Sequence, residues 1–402
     1  MLLNKKNSID YIAIVILIFI SGNLTFINQT VLFLTFIFST LLFFYRLNKL
    51  DTTFIYFLLT LFIILILQSL KFNFFPINTY LGVFIRILVA YFILKSIGVS
   101  FIDKFIKVMY YISILSLIFY ISILIVPGLE QLLITNFTTF AVTDIGSTIR
   151  YSILGLYTIL PDLIFKNAGP FWEMGAFGGY LVLTLLFSLL KDSNLKSKIN
   201  IILIITILTT QSTTAYISLV LLLFIIYFKE IKSIFLKILM SLIILSGAFY
   251  AYVSLEFMSE KIEHQLEMAT MINTNNLENA DSQRFINILK DWNDIQGHEI
   301  IGRGPHSSTR YSSRNFKQEI RTVGSTDMIV RYGYPFFILM LYFIYISVSN
   351  YSKYLNNQNM FQSIGIVFLV LVLLMSEIYF LYPLFWILLL LQYVYKIENE
   401  DV

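Results

Sequence analysis

The residues best suited to chemistry gather late in the chain. They are Gly302-Arg303-Gly304-Pro305-His306-Ser307-Ser308, followed by Arg310, Arg314, Lys317 and Arg321. Two glycines permit the tight backbone turns that would present His306 from a loop. A neutral imidazole accepts a proton from a hydroxyl near neutral pH. Guanidinium groups stay charged and grip phosphate through a planar fork. Together they suit a reaction in which a hydroxyl attacks and a phosphate leaves. The plainer alternative is a basic loop that touches anionic headgroups.

Three further arginines form a second set. Arg86 stands in the middle of an apolar run, Val83-Phe84-Ile85-Arg86-Ile87-Leu88, where a charge costs roughly 2.5–3.5 kcal/mol to insert. Arg331 lies one turn into a later run, and Arg150 lies in a long connection. An intramembrane arginine faces the bundle interior and finds a partner there, so each reads either as a ligand group or as half of an ion pair. The third set is Gly169-Pro170-Phe171-Trp172-Glu173-Met174-Gly175-Ala176-Phe177-Gly178-Gly179. Its proline and glycines mark a helix start where backbone approaches backbone or ligand. Glu173 there either caps the helix, pairs with an arginine or binds a sugar hydroxyl. Glu377, near another helix end, reads as a cap. His264 with Glu260 and Glu267 has the spacing of metal ligands, but a solvated helix face explains it more simply, so no metal site is expected. His298 reads as a loop-ordering residue. No P-loop, Rossmann glycine fingerprint or zinc motif is present, so ATP hydrolysis and redox cofactors lack support and no cofactor is expected.

The elements that must position these residues are membrane helices. The chain is 58% hydrophobic and 13% charged, with a mean hydropathy of +0.79. A soluble chain carries roughly 25% charged residues, so most of this one cannot face water. The apolar residues come in runs, among them 12–20, 31–44, 54–67, 181–190 and 219–228. In hydrocarbon such runs must satisfy their own backbone and therefore span as helices. They do not alternate as barrel strands would. The expected fold is an all-α polytopic membrane protein, a single integral-membrane domain over 1–402 with about twelve spans. The spans are placed at 9–22, 28–45, 53–70, 80–97, 105–127, 174–190, 199–212, 213–228, 234–254, 326–348, 360–376 and 378–395.

Lysines and arginines collect in alternate connections, at Lys5 and Lys6, Arg46 and Lys49, Lys95 to Lys107, Lys191 to Lys198, Lys229 to Lys237, Lys353 and Lys396. Lys71 is the exception. That pattern puts both termini on the cytoplasmic side. Two long connections, 128–172 and 255–325, then fall outside as extracytoplasmic loops containing short helices. Leu255 to Met271 reads as an amphipathic helix and Phe285 to Trp292 as a second short one. The apolar residues Phe285, Ile288, Leu289, Trp292, Ile295, Ile300 and Ile301 favour an ordered cap over the bundle. Cysteine is absent, so no disulfides support these loops. No cleavable signal is evident.

Four segments, spread over about 150–402, resemble the Wzy-type polysaccharide polymerases, which belong with the O-antigen ligases in one superfamily of integral-membrane glycosyltransferases. Asn167-Ala168-Gly169-Pro170-Phe171-Trp172-Glu173-Met174-Gly175-Ala176-Phe177 looks like the polymerases' N-x-G-x-F-W-E-P-G-x-F, with Met174 in place of proline. Thr209 to Tyr216 is similar to their S-T-T-G-Y helix junction, with Ala215 for glycine. Arg284-Phe285 through Asp291 to Gly304 looks like the segment that closes their large outer loop. Gly302-x-Gly304-x-His306 matches the histidine motif of the ligases, with Ser307 where asparagine often follows.

The resemblance implies a bacterial cytoplasmic membrane location and undecaprenyl-diphosphate-linked oligosaccharides as substrates. Membrane lipid, a chain-length regulator and a flippase are implied as partners, and no nucleic acid. It implies that His306 activates the acceptor hydroxyl as base or orienting group, and that arginines hold the diphosphate without a metal. Arg150, Arg303, Arg331 and Arg86 are the expected diphosphate ligands, while Glu173 and Arg284 are expected to bind sugar or serve structure. The nearest rival function is the ligase, with the same chemistry and a lipid A core or protein as acceptor. A flippase or exporter should instead show repeat halves and polar residues spread through its spans. A structural or regulatory subunit would need neither Arg86 nor the His306 loop.

Overall fold

Charge-free runs of aliphatic and aromatic residues close their hydrogen bonds internally, and helices form wherever the sequence carries them. In the computed structural model the described residues are 2–143, 149–228, 233, 235, 284–311, 321–356 and 359–395. The helices are α1 (Leu2–Ile20), α2 (Gln29–Tyr45), α3 (Thr52–Phe72), α4 (Ile77–Ile97), α5 (Phe101–Ile125), α6 (Leu129–Phe137), α7 (Met174–Lys191), α8 (Lys198–Thr210), α9 (Thr213–Tyr227), α10 (Arg284–Ile295), α11 (Ser307–Arg310), α12 (Gly324–Tyr354), α13 (Met360–Leu374) and α14 (Pro383–Leu390). Short polar side chains start several of them by satisfying orphan N–H groups. Asn28 Oδ1 accepts from Val31 N at 2.8 Å, and Ser197 and Ser212 do the same for α8 and α9.

Four helical stretches are long and apolar enough to cross a membrane: Thr52–Phe72, Ile77–Ile125, Met174–Lys191 and Gly324–Tyr354. The second bends at the 3-10 turn Gly98–Ser100 into α4 and α5. Six shorter apolar helices accompany them, at Asn7–Ile20, Gln29–Tyr45, Lys198–Thr210, Thr213–Tyr227, Met360–Leu374 and Pro383–Tyr393. The protein is thus a mostly helical membrane protein. Apart from Phe235, the span placed at 234–254 and the helix placed at 255–271 lie outside the described residues.

Connections that alternate along the chain meet at opposite ends of the bundle. At one end Asp10 pairs with both Arg46 and Lys104, Lys95 pairs with Asp51 at 2.9 Å, and Lys191 with Asp103 at 2.6 Å. At the other end, Trp172 N donates to Gly22 O at 2.9 Å, Asn23 Nδ2 to Gly155 O at 2.6 Å, and Lys71 Nζ to Gly297 O at 2.9 Å. Helix α7 is the buried centre. Its small residues admit close neighbours: Ala215 of α9 packs on Gly178, and Tyr379 packs on Gly179 while its hydroxyl donates to Gly175 O at 3.1 Å.

The connection 128–172 departs from the all-α expectation. It holds α6 and an antiparallel three-stranded sheet, ordered β1 (Thr138–Thr143), β2 (Ile149–Ile153) and β3 (Tyr157–Ile159). Val142 pairs with Arg150, and Ser152 with Thr158. Thr, Val, Ile and Tyr favour this pleated surface. Ile153, Tyr157 and Ile159 bury against Ile123 of α5, and strands this short leave too little periodicity to read in advance.

Helix α12 is broken. Gly333 has φ 81 and ψ 165, and Pro335 follows it. Proline has no N–H, so the carbonyl of Arg331 is released from the helix ladder. The loop 299–304 takes up the exposed groups. Arg303 N donates to Val330 O at 2.7 Å, Gly304 N to Arg331 O at 3.1 Å, and Tyr334 N to Glu299 O at 2.8 Å. Gln68 of α3 adds Nε2 to Arg331 O at 2.7 Å and to Ile301 O. A Cβ on Gly333 would collide with Ile300 O, and one on Gly302 would stand 2.6 Å from the carbonyl carbon of Arg331. Gly333→Ala should therefore cost about 3 kcal/mol or more, since that backbone region is almost closed to other residues. Thermal unfolding of the detergent-purified variant measures it, and an unchanged midpoint would contradict the broken-helix contact.

Candidate functional site

The polar end of the bundle is organised by arginine. Arg310, on the one-turn helix α11, is completely buried among three carboxylates. Its NH2 meets Asp291 Oδ1 at 2.6 Å, its NH1 meets Asp294 Oδ2 at 3.3 Å, and its Nε meets Asp327 Oδ1 at 2.9 Å. Arg321 joins Asp291 at 3.2 Å and Asp294 at 3.1 Å, and Arg331 Nε joins Asp327 Oδ2 at 2.5 Å. Three guanidiniums thus face three carboxylates, on four successive pieces of chain. Burial works against Arg310's charge, but Asp327 and Asp291 hold it well above the ordinary arginine range. Burial pushes Asp291 upward, and Arg310 opposes that shift.

This network turns α10 around. The helix's apolar residues were read as favouring an ordered cap over the bundle. Instead Asn287, Lys290, Asp291 and Asp294 are buried, alongside Ile286 and Ile295, while Leu289 and Trp292 are exposed, as is Ile300 beyond the helix. Buried charges need partners more than exposed apolar rings need cover at a membrane surface, so the acids face in.

The loop carrying the histidine is fixed by its two glycines, with φ 71 at Gly302 and φ 95 at Gly304. Its anchors are Arg331 NH1 to Pro305 O at 3.0 Å and Arg303 Nε to Thr309 O at 2.8 Å. His306 stands at the N-cap of α11, and its Nδ1 accepts from Ser308 N at 3.2 Å. In the neutral ring that bond puts the proton on Nε2, which makes His306 a hydrogen-bond donor toward a ligand. The ring packs on Phe74, centroids 4.9 Å apart. His298 orders the preceding turn, stacked at 5.3 Å on Phe72. Arg303 lies over the same ring.

A second cluster lies at the start of α7. The buried Asn167 Oδ1 accepts from Gly169 N at 2.9 Å, and its Nδ2 donates to Thr209 Oγ1 at 3.0 Å, so the 167–177 segment is tied to the α8–α9 junction. Met174 is the first residue of α7, the position at which proline also fits. Glu173 occupies the N-cap position but makes no capping bond. Its carboxylate lies 3.5 Å from Arg150 NH2 of β2. Glu377, read from sequence as a cap, is buried in the link after α13 instead. It accepts from Trp172 Nε1 at 3.3 Å, and its Oε1 shares the face of Gly175 with Oε1 of Glu173. Burial, together with the Glu173 carboxyl, pushes Glu377 well above the usual carboxylate range. Arg284 donates to Ser376 O at 3.4 Å beside it.

Arg86 connects the two clusters. It lines a cavity of about 120 Å³ with Asn28, Gln29, Leu381, Tyr382 and Pro383. Tyr382, Tyr332 and Arg331 are its electrostatic neighbours. Tyr382 in turn feels Glu377, Arg86, Glu173 and Arg150. Arg86 makes no hydrogen bond or ion pair with any described residue, unlike the other arginines here. The structure therefore gathers Arg86, Arg150, Glu173 and Arg284 around Glu377 and Tyr382, and sets His306, Arg303 and Arg331 on the adjoining loop. Glu377, Tyr382 and the three aspartates were missed as site residues, since nothing local in sequence marks them. Arg314, Lys317 and the His264 group lie outside the described residues.

His298 gives the site a pH signature. Burial, then Arg303 and Lys71, lowers its pKa. The unfolded chain binds a proton near pH 6.5 while the folded ring stays neutral, so stability should fall as pH drops below about 6.5. Unfolding midpoints of the wild type and His298→Gln between pH 7.5 and 5.5 measure this, and parallel curves would refute it. Arg310→Ala, which strands buried carboxylates, should lower stability by roughly 3–5 kcal/mol. The same midpoints measure that loss.

Comparison of the chain with protein-family models, with curated proteins and with solved structures finds no match.

Proposed function

We propose that this protein is an oligosaccharide repeat-unit polymerase of the bacterial cytoplasmic membrane, a multi-pass chain of about twelve spans with both termini cytoplasmic. In this reading the glycan on one undecaprenyl diphosphate carrier moves onto a hydroxyl of another lipid-linked repeat, with inversion, at the outer face. The observation that carries the reading is Arg86. Its guanidinium has no hydrogen-bond or ion-pair partner among the described residues and lines a cavity beside Tyr382. Arg86 is half-buried, and a cation left unpaired within a span costs roughly 2.5–3.5 kcal/mol unless a ligand anion completes it. A diphosphate entering from the membrane plane has the charge to do so.

The other features support the same chemistry. Arg150 lies across the cluster, and Arg303 and Arg331 add positive charge from the histidine loop. Nitrogens of these last two are already committed to Thr309 O, Asp327 and Pro305 O. They act through their field, and Arg86 through contact. Neutralising a diphosphate as it departs is stabilisation of developing charge. His306 Nε2–H orients the acceptor oxygen. An apolar groove of about 400 Å³ between α3 and α4, lined by Leu58, Phe62, Leu65, Leu81 and Phe84, suits an isoprenoid tail. Phe75 on its rim adjoins Phe74, which packs on His306. Holding both lipid-anchored reactants in one plane adds proximity.

The test is the envelope glycan of a deletion strain, run on a gel beside strains complemented with the wild type, His306→Ala and Arg86→Ala. Loss of the ladder with a single repeat still on its acceptor supports the polymerase. Loss of every repeat on the acceptor, with full-length glycan on the carrier, means ligase. Repeats trapped on the cytoplasmic face mean flippase. Arg86→Ala should lower transfer roughly 10²–10³-fold and leave thermal stability unchanged or higher. A His306→Ala strain with a full ladder would remove His306 from the reaction.

A further inference from the structure

The transfer reaction needs a group to take the acceptor hydroxyl's proton, and His306 offers a bound N–H instead of a lone pair. The described acids at this end narrow quickly. Asp291, Asp294 and Asp327 are engaged by Arg310, Arg321 and Arg331. Glu299 accepts from Gly297 N at 2.9 Å on the outer surface. Glu130 and Asp162 belong to α6 and the 3-10 turn Pro161–Leu163, outside the elements that carry the arginines. Glu173 and Glu377 remain.

These two carboxyls meet beside Gly175, and the Glu173 carboxyl adds to the burial that raises Glu377, so the pair holds a proton more readily than an isolated carboxylate does. Their environments differ. Glu377 is 8% exposed, and the Trp172 N–H sits on its Oε2. The Glu173 side chain is 24% exposed and has Arg150 at 3.5 Å from Oε2. The Oε1 atoms of both border the bare face of Gly175, at 3.1 and 3.2 Å from where a Cβ would stand. The arrangement assigns the proton to Glu377, the more buried of the two, and the negative charge to Glu173, whose Oε2 faces Arg150. Titratable groups around the pair are Arg150 of β2, Arg284 of α10, Arg86 of α4, and Tyr379 and Tyr382 before α14.

We propose that Glu173 is the proton acceptor of the transfer and that Glu377, kept protonated behind it, is a positioning residue that donates to it. This rests on the glycosyl-transfer reading above. The acceptor O–H bond breaks and its proton passes to Glu173. The acceptor oxygen bonds to the anomeric carbon, and the anomeric C–O bond breaks with its electron pair leaving on the diphosphate. Glu173 then returns the proton to water. The pairing resembles other acid–base sites in one respect: two like groups in unlike surroundings take different protonation states.

The experiment uses the full-length protein in lipid nanodiscs with a polyprenyl-diphosphate-linked oligosaccharide as donor and acceptor, and follows initial rates from pH 5 to 9. Unfolding midpoints are taken for each variant. Glu173→Gln should lower kcat roughly 10²–10⁴-fold at every pH with little change in KM. Glu377→Gln keeps an N–H donor toward Glu173 and should stay within about tenfold of wild type. Glu377→Ala removes that donor, so the carboxylate loses a stabilising bond and the acid limb of the profile should move to higher pH. Wild-type rates in Glu173→Gln would overturn the proposal, as would an acid limb unmoved in Glu377→Ala. If Glu173→Gln fails to fold, the Glu377→Ala profile decides. Wild-type protein that transfers no glycan would overturn the glycosyl-transfer reading and this proposal together, whereas transfer that survives Glu173→Gln overturns this proposal alone.

Discussion

The buried charge of Arg310 constrains everything at the polar end of the molecule. A guanidinium with no solvent exposure must be matched completely or it unfolds its surroundings. Matching it takes Asp291 and Asp294 from α10 and Asp327 from α12, and those acids in turn require Arg321 and Arg331. Once the six side chains are in place, α10 can dock in one orientation only, and α11 is pinned to the first turns of α12. Hydrophobic packing alone would tolerate sliding, since lipid is as apolar as the residues it would replace. The ion network supplies direction.

The break in α12 does the complementary work on the backbone. Gly333 and Pro335 open the helix, and the loop from Glu299 to Gly304 closes it again with its own N–H and C=O groups. The carbonyls of Val330 and Arg331 gain donors from the loop and Gln68, and the loop acquires a fixed path it could not have on glycines alone. His306 is presented from that path, with its tautomer set by Ser308. Arg331 belongs to both devices: its side chain serves the ion network and Pro305 O, while its carbonyl receives Gly304 N and Gln68.

The arginines divide by whether the protein already answers their charge. Arg310, Arg321 and Arg331 are answered by aspartates, and Arg46 by Asp10. Arg86 is not answered by any described residue and faces a cavity. The carboxyl pair is the counterpart on the acid side, two groups held together where one cannot ionise cheaply. Unlike the aspartates, these two carboxyls sit in unlike surroundings, Glu377 buried and Glu173 partly exposed beside Arg150, which is the condition for unequal protonation.

Much of this was legible in the sequence. Charge-free runs announced helices because membrane backbone has no other solution, and α8 and α9 fall close to where 199–212 and 213–228 were drawn. The glycines at 302 and 304 announced a loop only they could turn, and both have positive φ. Pro170 and the glycines of 169–179 announced close approach. The short strands of the first long connection were not legible, because three to six residues carry no usable period. Nor was the inward-facing acid side of α10, since an isolated amphipathic helix is expected to bury its apolar face. The meeting of Glu173 with Glu377, and of Arg310 with three aspartates, was invisible for a further reason. Sequence determines which groups exist and which segments must be helical, since those follow from local composition and solvent. Which buried charge faces which is a property of long-range packing, where these charged groups meet neighbours 16 to more than 200 residues away.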